Sequence, residues 1–413
     1  KPMKLFNHQQ KIINEDQKKC GLFLGTGSGK SLTALHLSKG KTLVICPKTT
    51  AEDGTWTKNG IGNVTVISKE TFRRDWESLP RFDTIIIDEA HTVCGISPVF
   101  KWVNKKPVPK TSQLFDACYH FIQKTNPERL YLLTATPVRN PLAVFALMVL
   151  LGKSTLDKFE SFRRTFYVPV NMNHREVYIA KKDEDSQDKL GKLVQSMGYV
   201  GKLEQYMDVP PQTYKTVYVE LTDEQKKRLK ELPIEYPEPI VLCGKKHQVE
   251  NGILSGDEFN DTEYFDNEKI EKIREYALEF PKMVIFAKYR AQITNIAQAL
   301  IVDGYNVLQL TGDTKDREDV LAQANNSDKC IIIISAQISA GYELPYFPIT
   351  IFASMSFSIV DRIQAEGRVL RANALKKNLY ITLVSKGNTV DDAVNKSIEN
   401  KKDFSEAIYI KNI

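Results

Sequence analysis

Apolar residues gather in short, nearly unbroken runs in the first third of the chain: KTLVICP (41–47), NVTVIS (63–68), DTIIID (83–88) and RLYLLTAT (129–136). A strand wetted on one face alternates polar with apolar. A run without alternation suits a strand covered on both faces, as in a parallel sheet. Helix-period stretches lie between these runs, as βαβ units require. The pattern returns near the C-terminus in KMVIFA (282–287), YNVLQL (305–310), KCIIIIS (329–335), ITIFAS (349–354) and LYITLVS (379–385). YRAQITNIAQALIVDG (289–304) predicts an amphipathic helix closed by Gly304. The middle is different. It is polar and mostly helix-like, as in TDEQKKRLKEL (222–232), with a proline-rich break at LPIEYPEPI (232–240) and an acidic face at GDEFNDTEYFDNE (256–268). The expectation is an α/β fold with two parallel-sheet lobes: 1–151, a connector with helical insertions over 152–265, and 266–413.

Length supports two cores, because 413 residues are too many for one. With 42% apolar and 26% charged residues, wholesale disorder is excluded. No apolar run approaches the roughly 18 residues that span a bilayer, so no membrane role is expected. The chain opens at Lys1 without a charged-then-apolar leader pattern. Cysteines 20, 46, 94, 118, 243 and 330 are scattered with no CxxC pair. They predict neither a zinc site nor a disulfide framework, and favour a reducing, cytoplasmic setting. A net charge of +6 permits nucleic-acid binding without establishing it.

The first chemical signal is LFLGTGSGKSLTALHLS (22–38). Three glycines within five positions are costly unless bare backbone is wanted there. A strand ending at Leu24, a turn over Gly25, Thr26, Gly27, Ser28 and Gly29, and a helix opening at Lys30 would wrap backbone amides around a phosphate. Lys30 adds charge on the β/γ-phosphates, and the Ser31 hydroxyl is placed to ligate Mg²⁺. The strict pattern wants glycine where Leu24 stands. The second signal is Asp88-Glu89-Ala90-His91 at the end of a buried strand, where ligands of open α/β sheets bind. Asp88 would hold the metal and Glu89 would orient and deprotonate an attacking water.

Read with LTATP (133–137) and QAEGRVLR (364–371), the DEAH stretch resembles the superfamily 2 helicases and translocases, whose two RecA-like lobes clamp ATP between them. By that resemblance Arg368 and Arg371 are arginine fingers and Gln364 contacts the nucleotide or the attacking water. His91, Thr134 and Thr136 couple the nucleotide site to the next motif. LFNHQ (5–9) resembles the Q motif, with Gln9 reading adenine through both sides of its amide, and SAQISAGYEL (335–344) resembles motif V, adding Gly341 to the nucleotide contacts. The remaining motifs imply phosphate contacts at Lys48, Thr49, Ser68, Lys69, Lys288, Thr311, Ser335 and Gln337. TPVRNPLAVFALMVLLG, YVELTDEQKKRL (218–229) and the tail 383–408 resemble the Swi/Snf-type branch. The loop lacks that branch's acidic approach, however, and QAEGRVLR keeps the glycine usual in DExH helicases. The sequence thus resembles compact phage recombination helicases akin to branch-migration enzymes.

The resemblance implies an ATP- and Mg²⁺-dependent DNA helicase or translocase that works on forked, branched or duplex DNA. It implies a monomer acting in replication, recombination or repair, with replication or recombination proteins as partners, in the cytoplasm of a bacterial host. An RNA helicase, a duplex translocase without strand separation, and a non-catalytic module on the same fold are the alternatives. Trp56, Trp76 and Trp102 are expected as packing residues, so no aromatic wedge is read from the sequence.

Overall fold

The computed structural model describes residues 5–52, 54–58, 60–103, 106–172, 175–201, 212–256, 261–336, 338, 344, 347–369 and 378–400. The chain forms two compact units, Lys1–Asp208 and Val209–Ile413, each built on a six-stranded parallel sheet. In the first unit β1 (Lys19–Leu24), β2 (Lys41–Cys46), β3 (Asn63–Ser68), β4 (Thr84–Ile87), β5 (Arg129–Leu133) and β6 (Gly198–Gly201) run in the order β6-β1-β5-β4-β2-β3. In the second, β7 (Thr213–Val219), β8 (Met283–Ala287), β9 (Val307–Leu310), β10 (Ile331–Ser335), β11 (Ile349–Phe352) and β12 (Leu379–Ser385) run β7-β12-β11-β8-β10-β9. Most of the apolar runs became strands for the expected reason, burial on both faces, whereas NVTVIS and YNVLQL became the partly exposed edge strands β3 and β9. Every residue of β4, β5, β8 and β11 is buried, as are the four isoleucines of β10. The helix predicted over 289–304 is Arg290–Val302.

The middle of the chain is not a separate connector. Residues 152–201 belong to the first unit and 212–265 to the second. After helix Glu184–Met197, β6 joins the first sheet beside β1, at an approach so close that a Cβ on Gly198 would stand 2.2 Å from the Gly21 carbonyl. β7 then edges the second sheet, and helices Asp223–Glu235 and Pro239–Glu250 follow it. The proline-rich stretch 232–240 lies in the second unit, across the end of one of these helices and the start of the other. Two β-hairpins, Ile96–Val103 with Lys106–Thr111 and Tyr167–Met172 with Arg175–Ala180, stand outside the first sheet.

In the first unit, helix Asn7–Glu15 is fixed at its C-terminal end by an ion pair. Asp16 accepts two hydrogen bonds from the buried Arg129 guanidinium, at 2.7 and 2.9 Å. Arg129 also donates to the Leu37 carbonyl (3.1 Å) and the Tyr131 hydroxyl (3.0 Å). The Arg129 hydrogen bonds hold the Asp16 carboxyl down to about 2.

In the second unit a buried polar cluster ties the middle of the chain to its last helix, Val390–Glu399. The Lys269 ammonium donates to Asp391 (2.7 Å), Asn251 (2.7 Å) and the Ala353 carbonyl (2.8 Å). His247 lies 3.3 Å from the other Asp391 oxygen, and burial keeps it neutral, lowered to about 4. Burial opposes the charge on Asp391, but Lys269 and His247 hold its carboxyl below the usual range. Glu250 accepts the backbone N–H groups of Val390 and Asp391, at 3.0 and 2.9 Å, at the start of that helix.

Two expectations follow. Lys269→Met leaves Asp391 buried without its cation, a loss of about 3–5 kcal/mol. Hydrogen exchange of helix Val390–Glu399 should accelerate accordingly, and wild-type protection there would refute the role. Asp16→Asn should destabilise the first unit at neutral pH. A depressed carboxylate contributes above its unfolded value near 3.8 and loses the contribution as pH falls towards about 2. The gap between wild type and variant, followed by tryptophan fluorescence during urea unfolding, should narrow from pH 6 to pH 3; a constant gap would contradict it. All three tryptophans lie in the first unit, so the signal reports that unit alone.

Candidate nucleotide site

The loop between β1 and helix Lys30–Leu37 turns on two left-handed glycines, Gly27 (φ 76°) and Gly29 (φ 77°). Its strand end is braced by β6, since Gly25 N–H donates to the Gly201 carbonyl at 2.8 Å. Lys30 folds back over the loop, with Nζ 3.0 Å from the Leu24 carbonyl and 3.1 Å from that of Gly25. Ser31 stands in the first helical turn, half-buried.

Gln9 is placed on this loop, but both sides of its amide are engaged by the chain. It is 1% exposed. Oε1 accepts from Phe6 N–H (2.8 Å), while Nε2 donates to the Gly29 carbonyl (3.2 Å) and Thr33 Oγ1 (3.3 Å). Beside it, His8 Nε2 lies 2.9 Å from the Ser28 carbonyl. A Cβ on Gly29 would fall 2.4 Å from Gln9 Nε2, so glycine is required there for space as well as for φ. In this arrangement Gln9 braces the loop, and its amide is not presented to a base.

β4 carries Asp88 to the same edge of the sheet, and Asp88 N–H still bonds the Ile45 carbonyl at 2.9 Å. Burial first, and the neighbouring Glu89 second, push the Asp88 carboxyl up to about 6, against the opposing charges of Lys69 and Lys30. Glu89 is one of three non-glycine residues with positive φ among the described residues, at φ 45° and ψ 54°. Its N–H donates to Asp88 Oδ1 at 2.9 Å. Glu89 Oε2 is buried without a hydrogen bond, 3.4 Å from His91 Nδ1. The same His91 nitrogen is hydrogen-bonded to Thr134 Oγ1 at 3.0 Å, and Thr134 Oγ1 accepts from Thr136 N–H at 3.0 Å. Burial lowers His91, which is therefore neutral. Because β5 lies between β1 and β4, the loops after these three strands are neighbours. Gln9, Gly25 to Ser31, Asp88, Glu89, His91, Thr134 and Thr136 thus assemble at one sheet edge.

No group of three or more His, Cys, Asp or Glu residues able to hold a metal occurs among the described residues. The chemistry of the edge still fits a divalent cation shared with phosphate oxygens. Asp88 and Glu89 place carboxylate oxygens beside the Lys30 ammonium, where a cation would relieve the burial and the mutual repulsion that raise Asp88.

Lys69 corrects the sequence reading. The motif resemblance implies a nucleic-acid phosphate contact for it, yet it is 6% exposed and points inward. Its ammonium donates to the Glu89 carbonyl (2.9 Å) and to Thr92 Oγ1 (2.5 Å). Burial lowers Lys69, with Asp88 and Glu89 pulling it back up. It belongs beneath the acid pair. Ser68 caps helix Lys69–Asp75, accepting from Thr71 N–H at 3.1 Å. Lys48 is exposed and Thr49 half-buried.

In the second unit, Gln364 (6% exposed) and the half-buried Arg368 lie on helix Ile359–Val369. Arg362 secures that helix by stacking 3.5 Å over Phe352 and pairing with Glu366 at 2.6 Å. Lys288 lies over the Phe357 ring at 3.1 Å, Thr311 N–H bonds Thr314 Oγ1 at 2.9 Å, and Ser335 ends β10 at 9% exposure. Gln337, Gly341 and Arg371 lie outside the described residues. Sequence reasoning missed the His8 and Gly201 contacts to the loop, the inward role of Lys69, and Trp102, which is 68% exposed while Trp56 is buried.

Comparison with known proteins agrees with this geometry. Residues 59–269 match the SNF2-related domain, and residues 268–373 match the helicase conserved C-terminal domain. The chain is 26% identical over 105 residues to the ATP-dependent RNA helicase DBP3 of Yarrowia lipolytica (strain CLIB 122 / E 150). That match covers 25% of this chain and only 20% of the relative. The Pyrococcus furiosus Hef helicase domain superposes with a TM-score of 0.50 at 16% identity, covering 95% of this chain and 97% of that one. The Sulfolobus solfataricus SWI2/SNF2 ATPase core, solved with dsDNA, gives 0.41 at 16% identity, covering 100% and 93%. The likeness to the Hef helicase domain is one of fold, two RecA-like α/β lobes. With just over half of its length matched by the SNF2-related domain, the chain belongs to the SNF2-related family of superfamily 2 and is a Swi/Snf-like helicase.

Proposed function

We propose that the protein is a DNA-stimulated ATPase that moves along DNA, unwinding it or migrating branches. The observation that carries this reading is the convergence of Lys30, Asp88, Glu89 and the His91–Thr134 bond at one edge of the first sheet, in a chain that also carries a helicase C-terminal domain. Lys30 and the first-turn amides of helix Lys30–Leu37 bind the phosphates. Ser31 and Asp88 would hold Mg²⁺, which when bound neutralises charge on the β- and γ-phosphates. Glu89 orients the attacking water and accepts its proton. Arg368 and Arg371 act on the developing γ-phosphate charge, and Gln364 contacts nucleotide or water. Lys48, Thr49, Ser68, Lys288, Thr311, Ser335 and Gln337 are the phosphate contacts of the DNA track. Forked or branched DNA in phage replication, recombination or repair is the substrate setting that the motif resemblance favours. The match to an RNA helicase supports RNA as the second reading. ATPase stimulation by single-stranded, duplex and four-way DNA against RNA tests the two, and stimulation by RNA alone would replace the first.

Glu89→Gln should keep ATP affinity while turnover falls by about 10² or more, the scale of a lost general base. Lys30→Ala should lose nucleotide affinity itself, seen in titrations with a fluorescent ATP analogue. Normal turnover in the glutamine variant would remove Glu89 from the role. For Lys69→Met, the left-handed Glu89 loses its cationic brace. We expect a fall in kcat of about tenfold or more with KM for ATP changed by less than about twofold, whereas a phosphate-contact role would weaken DNA binding and spare unstimulated kcat.

A further inference from the structure

We propose that the hairpin formed by Ile96–Val103 and Lys106–Thr111 is a stacking arm for an unpaired DNA strand. This rests on the reading of the chain as a DNA motor and adds what part of the substrate it grips away from the phosphate track. Trp102 is the most exposed aromatic side chain among the large exposed hydrophobics of the described residues, at 68%. A tryptophan standing in water at a hairpin is costly unless something covers it.

The arm is rigid where it meets the unit. Phe100, two residues earlier on the same strand face, packs against the first unit's core. The Arg163 guanidinium lies 4.6 Å over Phe100 and 3.8 Å over Tyr178 of the second hairpin. Trp102 meets Phe100 at 5.6 Å with near-perpendicular rings, so its indole is backed but not covered. At the base, Ser112 N–H closes onto the Gly95 carbonyl at 2.7 Å.

Charge and edge chemistry choose the occupant. From 95 to 111 the sequence holds four lysines and no acid. Lys101 and Lys110 are exposed on the hairpin's other face, since each is next along its strand to Trp102 or to Pro109. Pro107 and Pro109 pair opposite Trp102 and Phe100. They have no N–H, so that strand is ill suited to adding a partner chain's strand to the hairpin. An exposed indole on a lysine-bearing arm with a blunted edge suits a base and the phosphates of its strand, because every base has a π-face and single strands leave it open. The arm also grows directly from the catalytic strand end: the turn Ala90–Val93 follows Glu89, and Ile96 starts the hairpin.

The test uses the whole chain and a short fluorescent oligo-dT strand. Trp102→Ala should weaken binding by about tenfold or more, the size of one lost base stack, with the salt slope of log K unchanged. Trp102→Phe should restore most of the affinity. Lys101→Ala with Lys110→Ala should instead flatten the salt slope by about 1.4, two contacts at about 0.7 each. Thermal unfolding should stay that of the wild type in all three, since the side chains are exposed. If the wild type hydrolyses ATP faster on DNA and Trp102→Ala still binds the strand as tightly as wild type, the arm is refuted alone. If the wild type neither binds the strand nor responds to DNA, the motor reading falls with it.

Discussion

The nucleotide edge depends on a buried ammonium beneath a left-handed glutamate. A non-glycine residue at φ 45° costs on the order of 1–3 kcal/mol and persists only when its neighbours over-determine it. Here they do. Lys69 binds the Glu89 carbonyl, Thr92 Oγ1 binds the same carbonyl at 2.9 Å, and Asp88 Oδ1 takes the Glu89 N–H. With its backbone held at both ends, the Glu89 side chain is directed to His91 rather than back along the strand, and one carboxylate oxygen is left without a hydrogen bond. Desolvating a cation to do this is expensive, which is why Lys69 is itself lowered. The nearby acids offset that cost, so ammonium and carboxylates need each other.

The parts legible from sequence are those whose burial leaves one chemical signature. Four consecutive isoleucines in β10 have no other reading in a chain of this composition. A glycine-lysine-serine turn after an apolar run likewise has few alternatives. Two of the four edge strands escaped for the opposite reason. β6 is four residues, GYVG, none of them buried, and β7, TYKTVYV, is mostly exposed. An edge strand is half-solvated, and its sequence looks like any amphipathic surface. Hence 152–265 read as a connector although it supplies one strand to each sheet.

The partners of the Lys69 ammonium and the acceptors of the Gln9 amide N–H come from distant chain. Lys69 follows a helix-capping serine, where lysine is ordinarily solvated; its partners come from β4's far end, 20 and 23 residues on. Gln9 binds residues 20 and 24 positions away. Local pattern carries no trace of such pairings. Arg163 is placed the same way: it is 5% exposed, between the Phe100 and Tyr178 rings and its ion-pair partner Glu160.

Trp102 shows the error in reverse. An aromatic residue is assigned to a core by default, and Trp56 obeys at 1% exposure. The signal against that default was present in the neighbours, since a strand of a packed core does not carry lysine beside tryptophan with prolines opposite. The same segment also fixes how the arm meets the end of β4. Between Glu89 and the hairpin stand Ala90, His91 and Val93, all buried, with Cys94 Sγ bonded to the Ala90 carbonyl at 3.1 Å. There is no loose linker to absorb a displacement. A rigid link transmits only where one end has two arrangements. In this structure Glu89 has one arrangement, pinned by Lys69, Thr92 and Asp88, so the arm ends on a fixed point.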